Sequence, residues 1–297
     1  MPLSAPLALL LLSWVVLASC GGEDIPFSSL GGRQYALKVP NTYDASRAAP
    51  LLVVMHGYGQ DVPDVERGFG LDPVADRMGF FVVYPRGSLD PTGRRFFNAT
   101  DACCDFHHSG VDDVGFISHV IDDVSRRYAI DTTRIYAAGF SNGGFMAFRL
   151  ACDLAARIAG VVSLEGAMWK DARRCRPAAP VAVLEVHGTA DPTIVPEGGD
   201  GVDGYPGYVY PSVAETMRDW AGYDGCGGDG IPSPSPSPGE VASQESVRAE
   251  TWNHCAATVA HWSLVGGTHG PALTPRWPEA ISAFLLAQRK RPSSEAE

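Results

Sequence analysis

Apolar positions in this chain fall in short runs separated by stretches of helical spacing. Residues 35–39, 51–55 and 80–84 (FFVVY) read as strands, as do 134–138, 158–164, 181–186 and 258–265. Runs this short and this apolar suit strands covered on both faces. Between them, 71–78 forms a short helix closed by Gly79, and apolar residues recur at helical spacing over 114–128. Further helices are expected after the strand at 134–138, running through Arg149 to Ala155, at 212–221 and at 278–288. Strands alternating with helices predict βαβ units and an α/β fold with a doubly wound, mostly parallel sheet. No internal repeat breaks the series. The one low-complexity stretch, 232–238 (PSPSPSP), reads as an extended surface loop.

The first twenty residues stand apart. Residues 7–18 are almost wholly apolar, yet at 1.5 Å per residue they reach only about 18 Å, short of a hydrocarbon core about 30 Å thick. They suit the apolar core of an export signal. The segment ends Leu17-Ala18-Ser19-Cys20-Gly21, which resembles the lipobox of bacterial lipoproteins and implies cleavage before Cys20 and lipidation of its thiol. The expected organisation is therefore a signal peptide over 1–19, a tether over 20–33, one catalytic-size domain over 34–290 and a polar tail over 291–297. Export and cell-surface attachment through the lipid are expected, with no other membrane contact. Of seven cysteines, Cys20 is thus set aside. Cys103, Cys104, Cys152, Cys175, Cys226 and Cys255 remain, an even set that beyond an export signal reads as disulfides. The 23 basic and 34 acidic side chains give a net charge of −11 without basic clusters, which argues against nucleic acid as a partner.

The strongest chemical signal is Gly139-Phe140-Ser141-Asn142-Gly143-Gly144, placed between an expected strand and an expected helix. That is the context of the G-x-S-x-G nucleophile elbow, a turn too sharp for Cβ atoms at its glycines. A serine hydroxyl needs a base. Of eight histidines only His254, His261 and His269 follow the serine late enough, and only His269 lies in a loop beyond the last strand, between glycines that let it turn back. The base needs an acid to fix its tautomer; Asp191, just past the strand at 181–186, takes that place. Glu197, Asp200 and Asp203 lie further into a glycine-rich loop and read as solvated charges. For a developing oxyanion, the donors are the backbone N–H groups of Asn142 and of Tyr58, in His56-Gly57-Tyr58-Gly59 after the strand at 51–55. His56 reads as a packed, hydrogen-bonded histidine.

With these residues in place the chain resembles the esterase family of polyhydroxybutyrate depolymerases and feruloyl esterases, which are α/β-hydrolases. The segments that carry the resemblance include FNATDACCDF, DTTRIYAAGFSNGGFMAFRLAC, VLEVHGTADPTIVP and GGTH, in the family's order over most of 35–270. It implies a serine carboxylesterase working through an acyl-enzyme with Ser141, Asp191 and His269 as triad and with no cofactor or metal, while the fifty residues between Ser141 and Asp191 leave little room for a large cap domain. It also implies pairing of Cys226 with Cys255, and of Cys103 and Cys104 with Cys152 and Cys175 in either order. The substrate would be an ester, including polymeric ones such as feruloylated xylan or polyhydroxyalkanoate. A peptidase on the same fold and a non-catalytic surface binding protein are the alternatives. Cys103-Cys104-Asp105-Phe106-His107-His108 offers metal-ligand chemistry, but adjacent cysteines lack the separation of zinc sites, so disulfides are favoured. Asp112-Asp113 and Asp122-Asp123 read as helix-start charge and a solvated helix face.

Overall fold

The computed structural model describes residues 25–202, 204–233, 241–243 and 246–290. Cys20, most of the Pro-Ser stretch and Asp203 lie outside them. The strands are β1 (Phe27–Leu30), β2 (Arg33–Lys38), β3 (Ala49–Met55), β4 (Phe81–Pro85), β5 (Ser88–Leu89), β6 (Arg95–Phe96), β7 (Ile130–Phe140), β8 (Ile158–Leu164), β9 (Ala182–Gly188), β10 (Gly199–Val202), β11 (Tyr205–Tyr210), β12 (Gly227–Pro232), β13 (Ser246–Asn253) and β14 (Val259–Val265). The helices are α1 (Val62–Phe69), α2 (Asp72–Met78), α3 (Asp113–Arg127), α4 (Asn142–Asp153), α5 (Val213–Tyr223) and α6 (Trp277–Leu286).

One ten-stranded sheet runs in the order β1-β2-β4-β3-β7-β8-β9-β14-β13-β12. Its centre, β4 to β14, is parallel throughout, and antiparallel strands close both edges. The period of two along β3 divides the core. Leu51, Val53 and Met55 face a cluster with Ile117 and Val120 of α3, Phe145 and Phe148 of α4 and Trp220 of α5. Leu52 and Val54 face a second cluster with Val62 and Phe69 of α1, Val74 of α2 and Trp277 and Ile281 of α6. Both faces are covered, which is why the central strands read as continuous apolar runs. Among the described residues no helix is long and apolar enough to cross a membrane.

Two expectations change. The tether does not extend to residue 33: Phe27–Leu30 is an edge strand paired with β2, joined through Gly31 and Gly32. Both have positive φ, 58° and 81°, the requirement of a two-residue hairpin turn. The pairing of Cys103 and Cys104 with Cys152 and Cys175 is also replaced. Cys103 joins Cys104 across a cis peptide, and Cys152 joins Cys175 with Cα atoms 5.3 Å apart. Cys152 ends the buried face of α4 and meets Cys175 just after a single 3₁₀ turn, Ala172–Arg174, so each is already partnered. Cys226–Cys255 is present as implied. Of the two acids opening α3, Asp112 caps the helix by accepting from the Gly115 N–H at 2.8 Å. Asp113, in the first turn, is buried and ion-paired to Arg33.

Candidate active site

Ser141 sits between β7 and α4 with φ 52° and ψ −117°, far from helix or strand. A side chain rarely tolerates positive φ, and here the turn is held from both ends. The Ser141 N–H donates to the Leu164 carbonyl at 2.8 Å, and the Ser141 carbonyl accepts the Phe145 N–H at 2.9 Å, starting the helix. The glycines are needed for approach: a Cβ on Gly139 would overlap the Gly143 backbone, and one on Gly143 the Met55 carbonyl. The serine is thereby raised at the C-terminal edge of the sheet, 8% exposed.

Asp191 leaves the end of β9, and His269 lies in the loop after β14, the next strand in the sheet. The His269 Nδ1–H donates to Asp191 Oδ2 at 2.8 Å. The other oxygen of Asp191 accepts the Thr193 and Ile194 amides at 2.8 and 3.0 Å. Burial alone would raise the Asp191 pKa, but hydrogen bonds from His187, His269 and Ile194 outweigh it and hold the carboxyl below the ordinary range. The His269 ring lies 4.9 Å from the ring of Phe140, the residue before the serine. The structure thus places the expected acid and base in contact, with the histidine ring near the residue that precedes the serine. Glu197 and Asp200 are exposed. His254 occupies the turn between β13 and β14, and His261 lies within β14 opposite Glu185.

Asn142 is the first residue of α4, so its backbone N–H has no partner within the helix. Its buried side chain accepts from the Phe97 N–H at 2.8 Å and donates to the Phe97 carbonyl at 2.9 Å, fixing the elbow to the segment that carries Cys103 and Cys104. On the other side, the loop after β3 is pinned around Tyr58: the Gly57 N–H donates to Gln60 Oε1 at 2.9 Å and the Gly59 N–H to the Arg95 carbonyl at 2.8 Å. The Tyr58 hydroxyl donates to Asp90 at 2.6 Å, and its ring meets Phe106, which stacks on Tyr205 of the β10–β11 ribbon at 4.0 Å. His56 is buried and accepts the Gly87 N–H on Nε2 at 3.0 Å while its Nδ1–H faces the Gly57 carbonyl at 2.8 Å. Burial pushes its pKa down to about 4.

Behind Asp191 lies a polar group that sequence reasoning missed. Glu165, Glu185 and His187 are all buried. His187 Nδ1 is 2.9 Å from Glu185, and Nε2 is 2.8 Å from the Ile194 carbonyl and 3.5 Å from Asp191. Nε2 faces only acceptors and so carries a proton. Burial opposes a charge on His187, but hydrogen bonds to Asp191 and Glu185 raise its pKa to about 10. The signal that marks these residues is a glutamate set in or just after an otherwise apolar strand, in VVSLEG and VAVLEVHG. Glu165, Asp191 and His269 each offer a ligand atom within 4.8 Å of the others. The His269 nitrogen that faces the two carboxylates is the one already hydrogen-bonded to Asp191 at 2.8 Å.

An elbow serine on the central strand, with an acid and a histidine after later strands of the same sheet, defines the α/β-hydrolase class. The solved acetyl xylan esterase from Aspergillus awamori has the same fold, with a TM-score of 0.63 and 14% identity over 85% of this chain and 93% of that one. Residues 33–218 match the model of the esterase PHB depolymerase family, and the chain belongs to that family. It is 31% identical to feruloyl esterase B of Piromyces equi over 66% of this chain and 36% of that protein. It is 28% identical to feruloyl esterase C of Emericella nidulans over 88% and 86%. The chain spans about a third of the length of the first curated relatives it matches.

Proposed function

We propose that the protein is an exported serine carboxylesterase of the polyhydroxybutyrate depolymerase and feruloyl esterase type. Ser141 Oγ attacks the ester carbonyl as His269 Nε2 takes its proton, and the Asp191 carboxylate holds Nδ1–H and favours the imidazolium. The N–H groups of Asn142 and Tyr58 receive the oxyanion. His269 returns the proton to the departing alcohol, leaving an acyl-serine that water hydrolyses by the same route. The observation that carries this reading is the 2.8 Å contact between Asp191 and His269, whose ring lies 4.9 Å from that of Phe140, the residue before Ser141.

Between β9 and α5 the described residues add only the β10–β11 ribbon and no large cap, which suits a bulky or polymeric ester. Tyr58, Tyr205 and Tyr208, packed around the buried Phe106, form a partly exposed aromatic wall at one side, a surface suited to an aryl acyl group such as ferulate. Three disulfides support export, since such bonds persist in oxidising compartments. Lipidation at Cys20 is part of the same proposal, and Cys20→Ser would release the protein from the membrane fraction.

Ser141→Ala should lower kcat on a short p-nitrophenyl ester by about five to six orders of magnitude and abolish labelling by a fluorophosphonate. Full activity in that variant, or no labelling of the wild type, would sink the proposal. Methyl ferulate, 3-hydroxybutyrate oligomers and acetylated xylan, compared by kcat/KM, assign the substrate.

A further inference from the structure

A second carboxylate faces the same imidazole nitrogen as Asp191. Glu165 directly follows β8, the strand between the elbow strand and β9. Its side chain is fully buried, and Oε2 lies 3.3 Å from His269 Nδ1. The same oxygen accepts the Gly270 N–H at 2.7 Å, so one carboxylate touches both the histidine ring and the peptide after it. The backbone is bent to achieve this. Glu165 has φ 56°, an uncommon conformation for glutamate, secured by its N–H donating to the Val186 carbonyl at 2.8 Å.

We propose that Glu165 is a positioning residue that shares the His269 Nδ1–H with Asp191 and takes it over when Asp191 is replaced by a neutral side chain. An amide acceptor for Gly270 would need no carboxylate, and a buried one is costly. Moreover, its other oxygen, Oε1, has no hydrogen-bond partner among the described residues. The charges facing Glu165 come from three elements: His187 of β9, Asp191 of the loop after β9 and His269 of the loop after β14. Burial raises its pKa to about 7, with the Asp191 charge adding to the rise and the Gly270 N–H and the two histidines opposing it. Glu165 thus changes charge in the range where an esterase works. Ionised, it adds a second negative charge beside the imidazolium that forms as Ser141 attacks.

The proposal rests on the assignment of Ser141, His269 and Asp191, and the test separates the two. Asp191→Asn, Glu165→Gln, the double variant and Ser141→Ala are compared on p-nitrophenyl butyrate from pH 5 to 9. A lone acid replaced by its amide costs about 10⁴ in kcat; with Glu165 as second acceptor, Asp191→Asn is expected to lose only about 10²- to 10³-fold. Glu165→Gln keeps an acceptor for Gly270, so its Tm should stay near the wild type. It should lose about three- to tenfold in kcat/KM, with the acid limb moved to lower pH because a charge that favours the imidazolium is gone. Glu165→Asp, which keeps the charge, should restore the wild-type limb. In the Asp191→Asn background, Glu165→Gln should cost at least tenfold more than it does alone. An unchanged pH profile in Glu165→Gln, or a double variant no worse than Asp191→Asn, overturns the role of Glu165. Full activity of Ser141→Ala overturns the esterase assignment and the role of Glu165 with it.

Discussion

Two strands of the central sheet end in the same dipeptide at the same edge. β3 runs into His56-Gly57, and β9 runs out through His187-Gly188. Both imidazoles are buried, yet burial pushes the pKa of His56 down to about 4, while His187 rises to about 10 against the same penalty. The partners make the difference. His56 meets one backbone donor and one backbone acceptor, the demands of a neutral ring. His187 meets a carboxylate, a carbonyl and a second carboxylate, which only a ring with protons on both nitrogens satisfies fully. Burial sets the cost of charge, and the surrounding atoms decide whether it is met. His56 is a spacer that fixes the loop carrying Tyr58, whereas His187 supplies a cation to the far side of Asp191.

Removing each imidazole should break this contrast. His187→Leu leaves two buried carboxylates without their shared cation and should cost about 3–5 kcal/mol, the penalty for breaking a buried pair, read by urea unfolding at pH 7. It should also lower kcat, because Asp191 loses a neighbour that keeps it ionised. A variant as stable as the wild type would show that Glu185 and His187 do not act as an ion pair.

The pH dependence of stability should divide the same way. His56 has a folded pKa below its unfolded value near 6.5, so its contribution is complete above pH 6.5. It is lost as pH falls toward 4 and amounts to about 3 kcal/mol. His187 has a folded pKa above its unfolded value, so its contribution is complete below pH 6.5 and is lost as pH rises toward about 10. His56→Gln should flatten the acid side of a Tm profile, and His187→Gln the alkaline side. If each variant flattens the other's limb, the assignment is reversed. At pH 7, His56→Gln should cost only about 1–2 kcal/mol, the value of the two buried hydrogen bonds at risk, with kcat changed less than threefold.

The smallest effect belongs to the elbow. Ser141→Gly removes the proposed nucleophile and relieves a residue at φ 52°. The inactive variant should be more stable than the wild type by about 1 kcal/mol in denaturant unfolding. A loss of stability would show that the turn is not strained.

Much of this was readable in the chain. The parallel strands announced themselves as apolar runs because both faces of the sheet are covered, and Ser141, Asp191 and His269 because each follows a strand or sits in its exit loop. Elements without such a run were missed. β12, Gly227–Pro232, has no strand propensity and is held by pairing to β13. In β13 the buried positions alternate through small residues, Val247 and Ala249. α1 is capped by Asp61 and Asp64 with a proline in its first turn, acids that also read as a polar loop. Glu165 and His187 were hidden for a different reason: a buried charge looks in sequence like an interruption of a strand. Its purpose shows only when strands distant in the chain are set side by side.

The Gly31–Gly32 hairpin also sets a length. Since the sheet begins at Phe27, only seven peptide steps separate it from Cys20, about 25 Å when fully extended. If Cys20 bears the lipid, as proposed above, that leash is shorter than the folded domain is wide, about 45 Å from its expected radius of gyration. An enzyme so held would sweep a thin layer over the cell surface. It would act on ester-bearing fragments that drift into that layer and could not travel to an insoluble polymer at a distance.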